Sequence, residues 1–561
     1  MLLRKILVTG AAASLLLLPG CAGSAKDAAS GGGGKGSGGG DGMVPVLNLP
    51  AEVDASVGSL VNYNPYSAKP ATMTWLYEPL MMQNSLDCKV APWLATAYKW
   101  EGSDKLVFTI RKGVKFADGS ELTAKDVAFT FNLTKKYPAM DTAAVWNDTF
   151  GAHATSVTAQ GDSVVFQFSG PAVPKFQGII AQKIVSEKQY GSVGDPTKYI
   201  DKQPNGTGPF KVGSFNGRRL ELVRRTDYWQ AKKIKVSKLV LEGQPDATQA
   251  LLQLRSGKLD FYSGEIPNPR KAFVSSDPKL NHVWYAPNGI TALAPNLKKA
   301  PFDDVKFREA MAYGINKQDA TLKATYNMMH VASQSGLVMP LRESMLPEPY
   351  TAENTTLPFD LAKAGQLLDA AGYKKGADGF RTNKDGSPLT IKFAVQAGWI
   401  DYEAMADSIT AGFRKLGLNV KQVKSPPDSV DLQKKTGQFD MMINFVGSGC
   451  DYANGLGASL ETAQFPTKSE VKGNVERFSD PAVDQAVKAL QGSTDQAAVK
   501  ENVGVLAKTM MTEYPVMPIL YAPARGIYRT DKAVGWPTEK DPYANPQDAI
   551  LLIMTHLKSA K

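Results

Sequence analysis

Cysteine and histidine are scarce in this chain of 561 residues, which contains three of the former and four of the latter. Three cysteines are too few for a disulfide-rich scaffold, and they argue against cysteine-based zinc fingers. The four histidines are scattered and show no spacing typical of metal ligands: His153, His282, His330 and His556. We therefore expect no metal site or other cofactor, and no nucleophilic cysteine with a histidine partner.

Long apolar runs and the common catalytic motifs are also missing. No stretch approaches the roughly 18 apolar residues that indicate a transmembrane helix. The sequence has no G-x-x-x-x-G-K-[ST] phosphate loop, no H-E-x-x-H zinc motif and no G-x-S-x-G nucleophile elbow. These absences predict a protein that is not an enzyme.

What the chain does contain is the composition of a folded protein with a basic bias. Hydrophobic residues make up 43% and charged residues 21%, and the net charge is +10. A basic balance first suggests nucleic acid, but the pairs Arg218-Arg219 and Arg224-Arg225 flank a predicted strand without interleaved aromatic residues. We therefore predict no nucleic-acid partner.

The first 42 residues indicate where the protein acts. Arg4 and Lys5 precede an apolar stretch, residues 6–18, which suits a secretory signal peptide and is too short to span a bilayer. Cys21 follows directly and resembles the lipidated cysteine of a bacterial lipobox; the alternative is a plain secretory peptide. Residues 22–42 are rich in glycine and serine and predict a flexible tether. We expect a signal peptide over 1–20 and a lipid-anchored protein outside the cytoplasmic membrane.

The remainder predicts alternating helices and strands, as in an α/β protein. Capping residues predict helix starts at Thr123, Asp304, Asp360 and Asp480. Short apolar runs predict strands at 106–110, 164–168, 391–395, 439–446 and 517–521. No linker divides the chain after the tether, which favours interleaved lobes.

Six segments in a fixed order resemble the family 5 extracytoplasmic solute-binding proteins, the peptide-binding components of ABC importers. They are residues 92–131, 205–210, 225–229, 251–260, 300–319 and 359–373. Ile110, Thr226 and Gly314 depart from the usual residues of the family pattern. Single matches of this kind are weak, but a collinear series through most of the chain is specific.

This resemblance implies a bilobed α/β fold of the periplasmic-binding type (type II), with a subdomain inserted in the first lobe. We predict the first lobe in residues 43–85, 200–290 and 505–561, the inserted subdomain in 86–199, and the second lobe in 291–504. It also implies a mechanism in which ligand bridges the lobes, the lobes close, and the closed monomer meets a permease powered by a separate ATPase.

The same resemblance suggests an oligopeptide or dipeptide ligand. In peptide-binding members an aspartate in a D-Y segment pairs with the α-ammonium group, and Asp451-Tyr452 stands at the matching place. The alternative for Asp451 is a loop residue that caps a turn. Ala453 and the residues after it lack the proline that often follows this segment.

An oligosaccharide ligand, for example of the cello-oligosaccharide kind, is the alternative within the family. Tyr63 and Tyr66 lie in a segment similar to that of oligosaccharide-binding members, and aromatic faces would stack on sugar rings. Trp399 follows a predicted strand and could serve either ligand, and Trp284 is a further candidate. A ligand sensor for a membrane receptor and a secreted hydrolase are rival functions outside transport.

The two remaining cysteines are Cys88 and Cys450. In an oxidising compartment they could form a disulfide, which requires Cα atoms within about 7 Å of each other. The alternative, two buried free thiols, stays open at the level of the sequence.

Overall fold

The computed structural model describes residues 42–50, 62–67, 73–217, 219–243, 245–447, 449–547 and 549–561. The predicted signal peptide over 1–20, the lipidation residue Cys21 and the tether up to residue 41 lie outside the described residues. None of the described helices combines the length and the apolar character that a membrane crossing requires.

The first lobe is built on a four-stranded sheet, in which the first strand pairs in parallel with its neighbour and the others pair antiparallel. Its strands, in spatial order, are β1 (Leu47–Pro50), β10 (Lys238–Glu242), β9 (Arg219–Arg224) and β8 (Phe210–Phe215). The core beneath it includes Trp75, Leu222 and Trp536, so it combines residues from both ends of the chain.

The inserted subdomain has its own antiparallel sheet and its own core. Its strands, in spatial order, are β4 (Ala95–Glu101), β5 (Lys105–Ile110), β7 (Ser163–Phe168) and β6 (Ala154–Gln160). A hairpin of β2 (Met81–Gln83) and β3 (Val90–Pro92) leads into it. The helix α2 (Ala124–Lys136) starts with a capping box, because Thr123 and Asp126 bond reciprocally across the first turn.

The second lobe surrounds a six-stranded mixed sheet. Its strands, in spatial order, are β11 (Phe261–Tyr262), β16 (Met517–Arg529), β12 (Asn281–Pro295), β15 (Met441–Val446), β13 (Thr390–Gln396) and β14 (Asn419–Ser425). Alternate residues of its strands face opposite layers: Ala292 and Met442 belong to one core, Leu293 and Ile443 to the other. The sheet is therefore buried on both faces.

The long strands β12 and β16, called the crossover strands below, connect the lobes. They pair with each other over most of their length. Tyr528 at one end of β16 belongs to the core of the first lobe, and Leu520 belongs to a core of the second. The strand β12 runs through the predicted boundary near 290, and the helix α13 (Gln496–Glu513) runs through the one near 504. The exact domain limits therefore stay a prediction, while the bilobed α/β class is confirmed.

The helices begin where the capping residues predicted. Asp304, Asp360 and Asp480 each accept a backbone N–H bond at a helix start, and Gly372 and Gly417 take positive φ just past helix ends. The remaining helices are α1 (Met73–Leu76), α3 (Phe176–Ala181), α4 (Glu187–Tyr190), α5 (Ala247–Arg255), α6 (Pro269–Ala272), α7 (Val305–Gly314), α8 (Lys317–Thr325), α9 (Leu361–Ala370), α10 (Ile400–Lys415), α11 (Pro427–Thr436), α12 (Pro481–Gly492), α13 (Gln496–Glu513) and α14 (Ile550–Met554). Two residues of β17 (Ala533–Val534) and two of β18 (Lys558–Ser559) pair near the C-terminus.

The turn at residues 205–210 shows why its glycines are needed. A Cβ on Gly206 would overlap the carbonyl oxygen of Leu76, and one on Gly208 would overlap that of Trp75. The turn also accepts two bonds from the buried guanidinium of Arg225, through the carbonyls of both glycines. Close backbone approach, rather than positive φ, requires glycine here.

Candidate functional site

The candidate site lies at the carboxyl ends of three parallel strands of the second lobe. β13 pairs in parallel with both β14 and β15, so all three strands end at one edge of the sheet. The loop after β13 carries Trp399, and the loop after β15 carries Asp451 and Tyr452. Ligands of open α/β sheets commonly bind at this edge.

A cavity of about 820 Å³ separates the inserted subdomain from the second lobe. Its size falls within the range of pockets that enclose small organic ligands. Its lining from the subdomain includes Tyr98, Trp100 and Phe176, and its lining from the second lobe includes Arg342, Asp451 and Tyr452. The subdomain wall therefore offers three aromatic side chains together with the charged Asp87, Lys89 and Lys99, and the facing wall also carries charges of both signs.

Asp451 lines this cavity and also holds its own turn. Its two carboxylate oxygens accept from the backbone N and the side-chain Nδ2 of Asn454, at 3.0 and 2.6 Å. Burial raises the pKa of Asp451, and the bonds from Asn454 act in the opposite direction. A carboxylate has about four acceptor positions, so the turn leaves room for a ligand ammonium group.

Cys88 and Cys450 are joined by a disulfide, with Cα atoms 5.4 Å apart, and both line the cavity. The bond links the loop between β2 and β3 to the residue immediately before Asp451. Of the two alternatives left open by the sequence, the structure has the bridged one.

Arg342, which sequence reasoning missed, supports the same region. Its side chain is only 7% exposed, yet its Nη1 and Nη2 donate to the backbone oxygens of Leu86 and Ser85, at 3.0 and 3.2 Å. Arg342 and these acceptors are more than 250 positions apart, so no local pattern marks the contact. Only the packing of the second lobe on the β2–β3 loop reveals it.

Trp399 lies outside the lining of the 820 Å³ cavity, next to a second group of polar side chains. It is 48% exposed, sits at the start of α10, and packs edge-on against Tyr402 with ring centroids 4.8 Å apart. Asp401, in the first turn of α10, lies 3.9 Å from Nη2 of Arg525. Glu265, from a different part of the chain, lies 4.0 Å from the same nitrogen. Burial and the charge of Asp401 raise the pKa of Glu265.

The other predicted aromatic residues occupy three different places in the structure. Tyr63 is buried in the core of the first lobe, and Tyr66 packs edge-on against Tyr190. Trp284 lines a separate cavity of about 570 Å³ together with His282. None of the three lines the 820 Å³ cavity, and a ligand-binding role for them stays a prediction.

Metal ligands do not come together in the part of the chain that the structure describes: it holds no group of three or more histidine, cysteine, aspartate or glutamate side chains arranged for an ion.

Comparison with known proteins identifies the class of this architecture. The sequence model of the bacterial extracellular solute-binding proteins, family 5, matches residues 89–460. The nickel-binding periplasmic protein of Escherichia coli (strain K12) is 24% identical over 475 residues, which cover 82% of this chain and 86% of that protein. The dipeptide-binding protein of the same strain is 28% identical over 433 residues, covering 72% and 77%.

Solved structures show the same fold. The periplasmic oligopeptide-binding protein of an oligopeptide ABC transporter from Thermotoga maritima superposes with a TM-score of 0.78 at 24% identity, covering 92% of this chain and 99% of that one. The chain belongs to the bacterial extracellular solute-binding proteins of family 5, which are substrate-binding components of ABC importers and not enzymes.

Proposed function

We propose that the chain captures oligopeptides in the cavity between the inserted subdomain and the second lobe and delivers them to an ABC permease. The observation that carries the proposal is Asp451, a carboxylate that lines the cavity at the carboxyl end of β15 and keeps free acceptor positions. A free peptide N-terminus would form a charge-assisted hydrogen bond with it. The dipeptide-binding relative of Escherichia coli supports a peptide ligand.

An oligosaccharide is the second candidate, and the subdomain wall favours it. Tyr98 and Phe176 line the cavity with ring centroids 4.5 Å apart, and Trp100 lies on the same strand as Tyr98. Such faces stack on sugar rings as well as on apolar side chains. The Thermotoga protein has also been solved with mannohexaose bound, at a TM-score of 0.69 to this chain.

Thermal unfolding in the presence of ligands separates the two candidates. A ligand that binds only the folded state stabilises it by RT ln(1 + [L]/Kd), about 2.7 kcal/mol at a hundredfold excess over Kd. We expect di- to pentapeptides to raise the melting temperature, and mannohexaose, cello- and xylo-oligosaccharides to leave it unchanged. Shifts with sugars and none with peptides would reject the peptide proposal.

The role of Asp451 has its own test, which compares peptides with free and acetylated N-termini. Loss of one charged hydrogen bond is worth about 1.5–3 kcal/mol, roughly 10- to 100-fold in affinity. Asp451→Asn should weaken free-amine peptides by this factor and acetylated peptides far less. Asp360→Asn, which caps α9 away from the cavity, is the matched control and should bind both kinds normally. Equal losses for both peptide kinds would reject the anchor role.

We propose that residues 1–20 are removed as a signal peptide and that Cys21 is lipidated, so that the tether over 22–42 holds a monomeric body at the outer face of the membrane. A lipid on Cys21 predicts that the protein partitions with membranes, and that Cys21→Ser releases it into the soluble extracytoplasmic fraction. A variant that stays membrane-bound would contradict the anchor. Its partners would be the permease and its ATPase.

A further inference from the structure

The loop Asn84–Cys88, called the elbow loop here, joins β2 to β3 and contacts three parts of the molecule. Leu86 is buried against Ala286 and Ala524, one on each crossover strand. The side chain of Asn84 donates to the carbonyl oxygen of Tyr543 near the C-terminus. The elbow loop therefore sits where the two lobes are joined, and its residues Asp87 and Cys88 line the cavity.

Arg342 of the second lobe forms hydrogen bonds with this loop. One guanidinium nitrogen donates to Leu86 O and the other to Ser85 O, and the second also lies 2.7 Å from Cys88 Sγ. Among the described residues, no carboxylate forms an ion pair with Arg342, so the backbone carbonyl dipoles of Leu86 and Ser85 are the groups that hold it. A rigid planar fork suits this task, because it fixes two acceptors in one geometry.

The disulfide provides a covalent link at the same place. Cys88 ends the elbow loop, and Cys450 immediately precedes Asp451. Cys88, Cys450 and Arg342 all line the 820 Å³ cavity. Two links of different chemistry thus connect the elbow loop to the second lobe, and one of them, the disulfide, reaches the segment that carries the proposed ligand anchor.

We propose that Arg342 and the Cys88–Cys450 disulfide form a clasp that sets the separation of the two cavity walls and positions Asp451 for ligand. Because the clasp lies beside the crossover strands, it limits how far and in which direction the lobes part without blocking their closure. Arg342 acts through Asp451 and the disulfide, and is a positioning residue. The ligand-binding part of this inference rests on the proposed function, whereas the control of wall separation does not.

The test measures wall separation without ligand. Ketone-bearing unnatural residues replace the exposed Lys125 on the subdomain and Lys488 on the second lobe, and carry dyes for single-molecule energy transfer without using cysteine chemistry. We expect one narrow distance distribution for the wild-type protein. Cys88→Ser/Cys450→Ser and Arg342→Lys should each shift the distribution to longer distances and broaden it.

Arg381→Lys is the matched control, because Arg381 is an equally buried arginine that bonds to the backbone oxygens of Leu416 and Tyr373 within the second lobe. It should leave the distribution unchanged. If the serine pair fails to fold by circular dichroism, Arg342→Lys with the disulfide intact still decides the matter. Distributions identical to wild type in both clasp variants would overturn the proposal, as would an equal change in the control.

Binding of tri-alanine then tests the positioning role. For the clasp variants we expect a Kd about 10-fold weaker, with a faster dissociation rate and a loss of preference for the free over the acetylated N-terminus. A merely structural role would lower the melting temperature but leave that preference intact, and this result would reject positioning. If the wild-type protein binds no peptide, the proposed function fails, and the distance distributions still decide the clasp.

Discussion

Glu476 carries a carboxyl group in the second lobe that is almost completely shielded from water. The residue is 1% exposed, and neither carboxylate oxygen has a hydrogen-bond partner among the described residues. Burial raises its pKa from an ordinary value near 4.5 to about 8, although the charge of the adjacent Arg477 acts in the opposite direction. At neutral pH the folded protein therefore holds this group mainly in its protonated form.

This shift makes folding stability depend on pH with a defined sign. The folded-state pKa lies above the unfolded one, so ionisation is penalised only in the fold. The penalty is absent below about pH 4.5, grows as pH rises, and levels off above about pH 8. At about 1.4 kcal/mol per pKa unit, the full penalty is about 5 kcal/mol, of which about 3.5 kcal/mol accrues between pH 5 and pH 8.

Glu476→Gln removes the titration while keeping the shape of the side chain. Urea unfolding of both proteins at pH 5, 6.5 and 8 gives their unfolding free energies at equal ionic strength. We expect the variant to gain stability relative to the wild type by about 3.5 kcal/mol from pH 5 to pH 8. Glu501→Gln, on the exposed side of α13, is the control and should show no such trend. A difference between Glu476→Gln and wild type that stays constant with pH would refute the reasoning.

Two further predictions concern buried positions and use the same unfolding assay. Burial lowers the pKa of Lys317 from 10.5 to about 7, and its Nζ has no hydrogen-bond partner among the described residues. The folded state therefore pays the full cost of a buried ammonium group below about pH 7, and this cost disappears as the pH rises towards 10.5. Wild type should therefore gain about 3 kcal/mol relative to Lys317→Met between pH 7 and pH 9.5, and a flat difference would contradict this. Gly206→Ala places a methyl group against the Leu76 carbonyl and should cost about 3 kcal/mol or more, because backbone must move. Gly194→Ala, where a Cβ meets open space, is its control, and similar losses for both would argue against the close approach.

Helix starts were predictable from the sequence, since a cap is a contact between residues two or three positions apart. Asp304 accepts from the backbone N of Lys306, and Asp360 from that of Lys363. The bilobed fold was predicted from the family resemblance, because six motifs in the same order as in the family indicate the same overall architecture. The resemblance also singled out Asp451 through its D-Y segment, and Trp399 was proposed as an aromatic residue that follows a predicted strand.

The arrangement of the candidate site could not be read in this way. Asp451 and Tyr452 share a cavity with Arg342, but Trp399 belongs to a different group beside Arg525. Whether two loops at one sheet edge share a cavity depends on what packs against that edge. Here the inserted subdomain covers one loop, and its position follows from contacts that no spacing along the chain encodes.

The sequence by itself determined the α/β class, the positions of the capped helices and membership of a transport-binding family. These properties depend on composition and on contacts between near neighbours. Tertiary structure decided that Cys88 and Cys450 are bridged, that Arg342 holds the elbow loop, and that Glu476 and Lys317 are buried. The cysteines are 362 positions apart, so they can meet only after the intervening chain has folded and brought them together. The burial of Glu476 and Lys317 likewise depends on packing that excludes water from them.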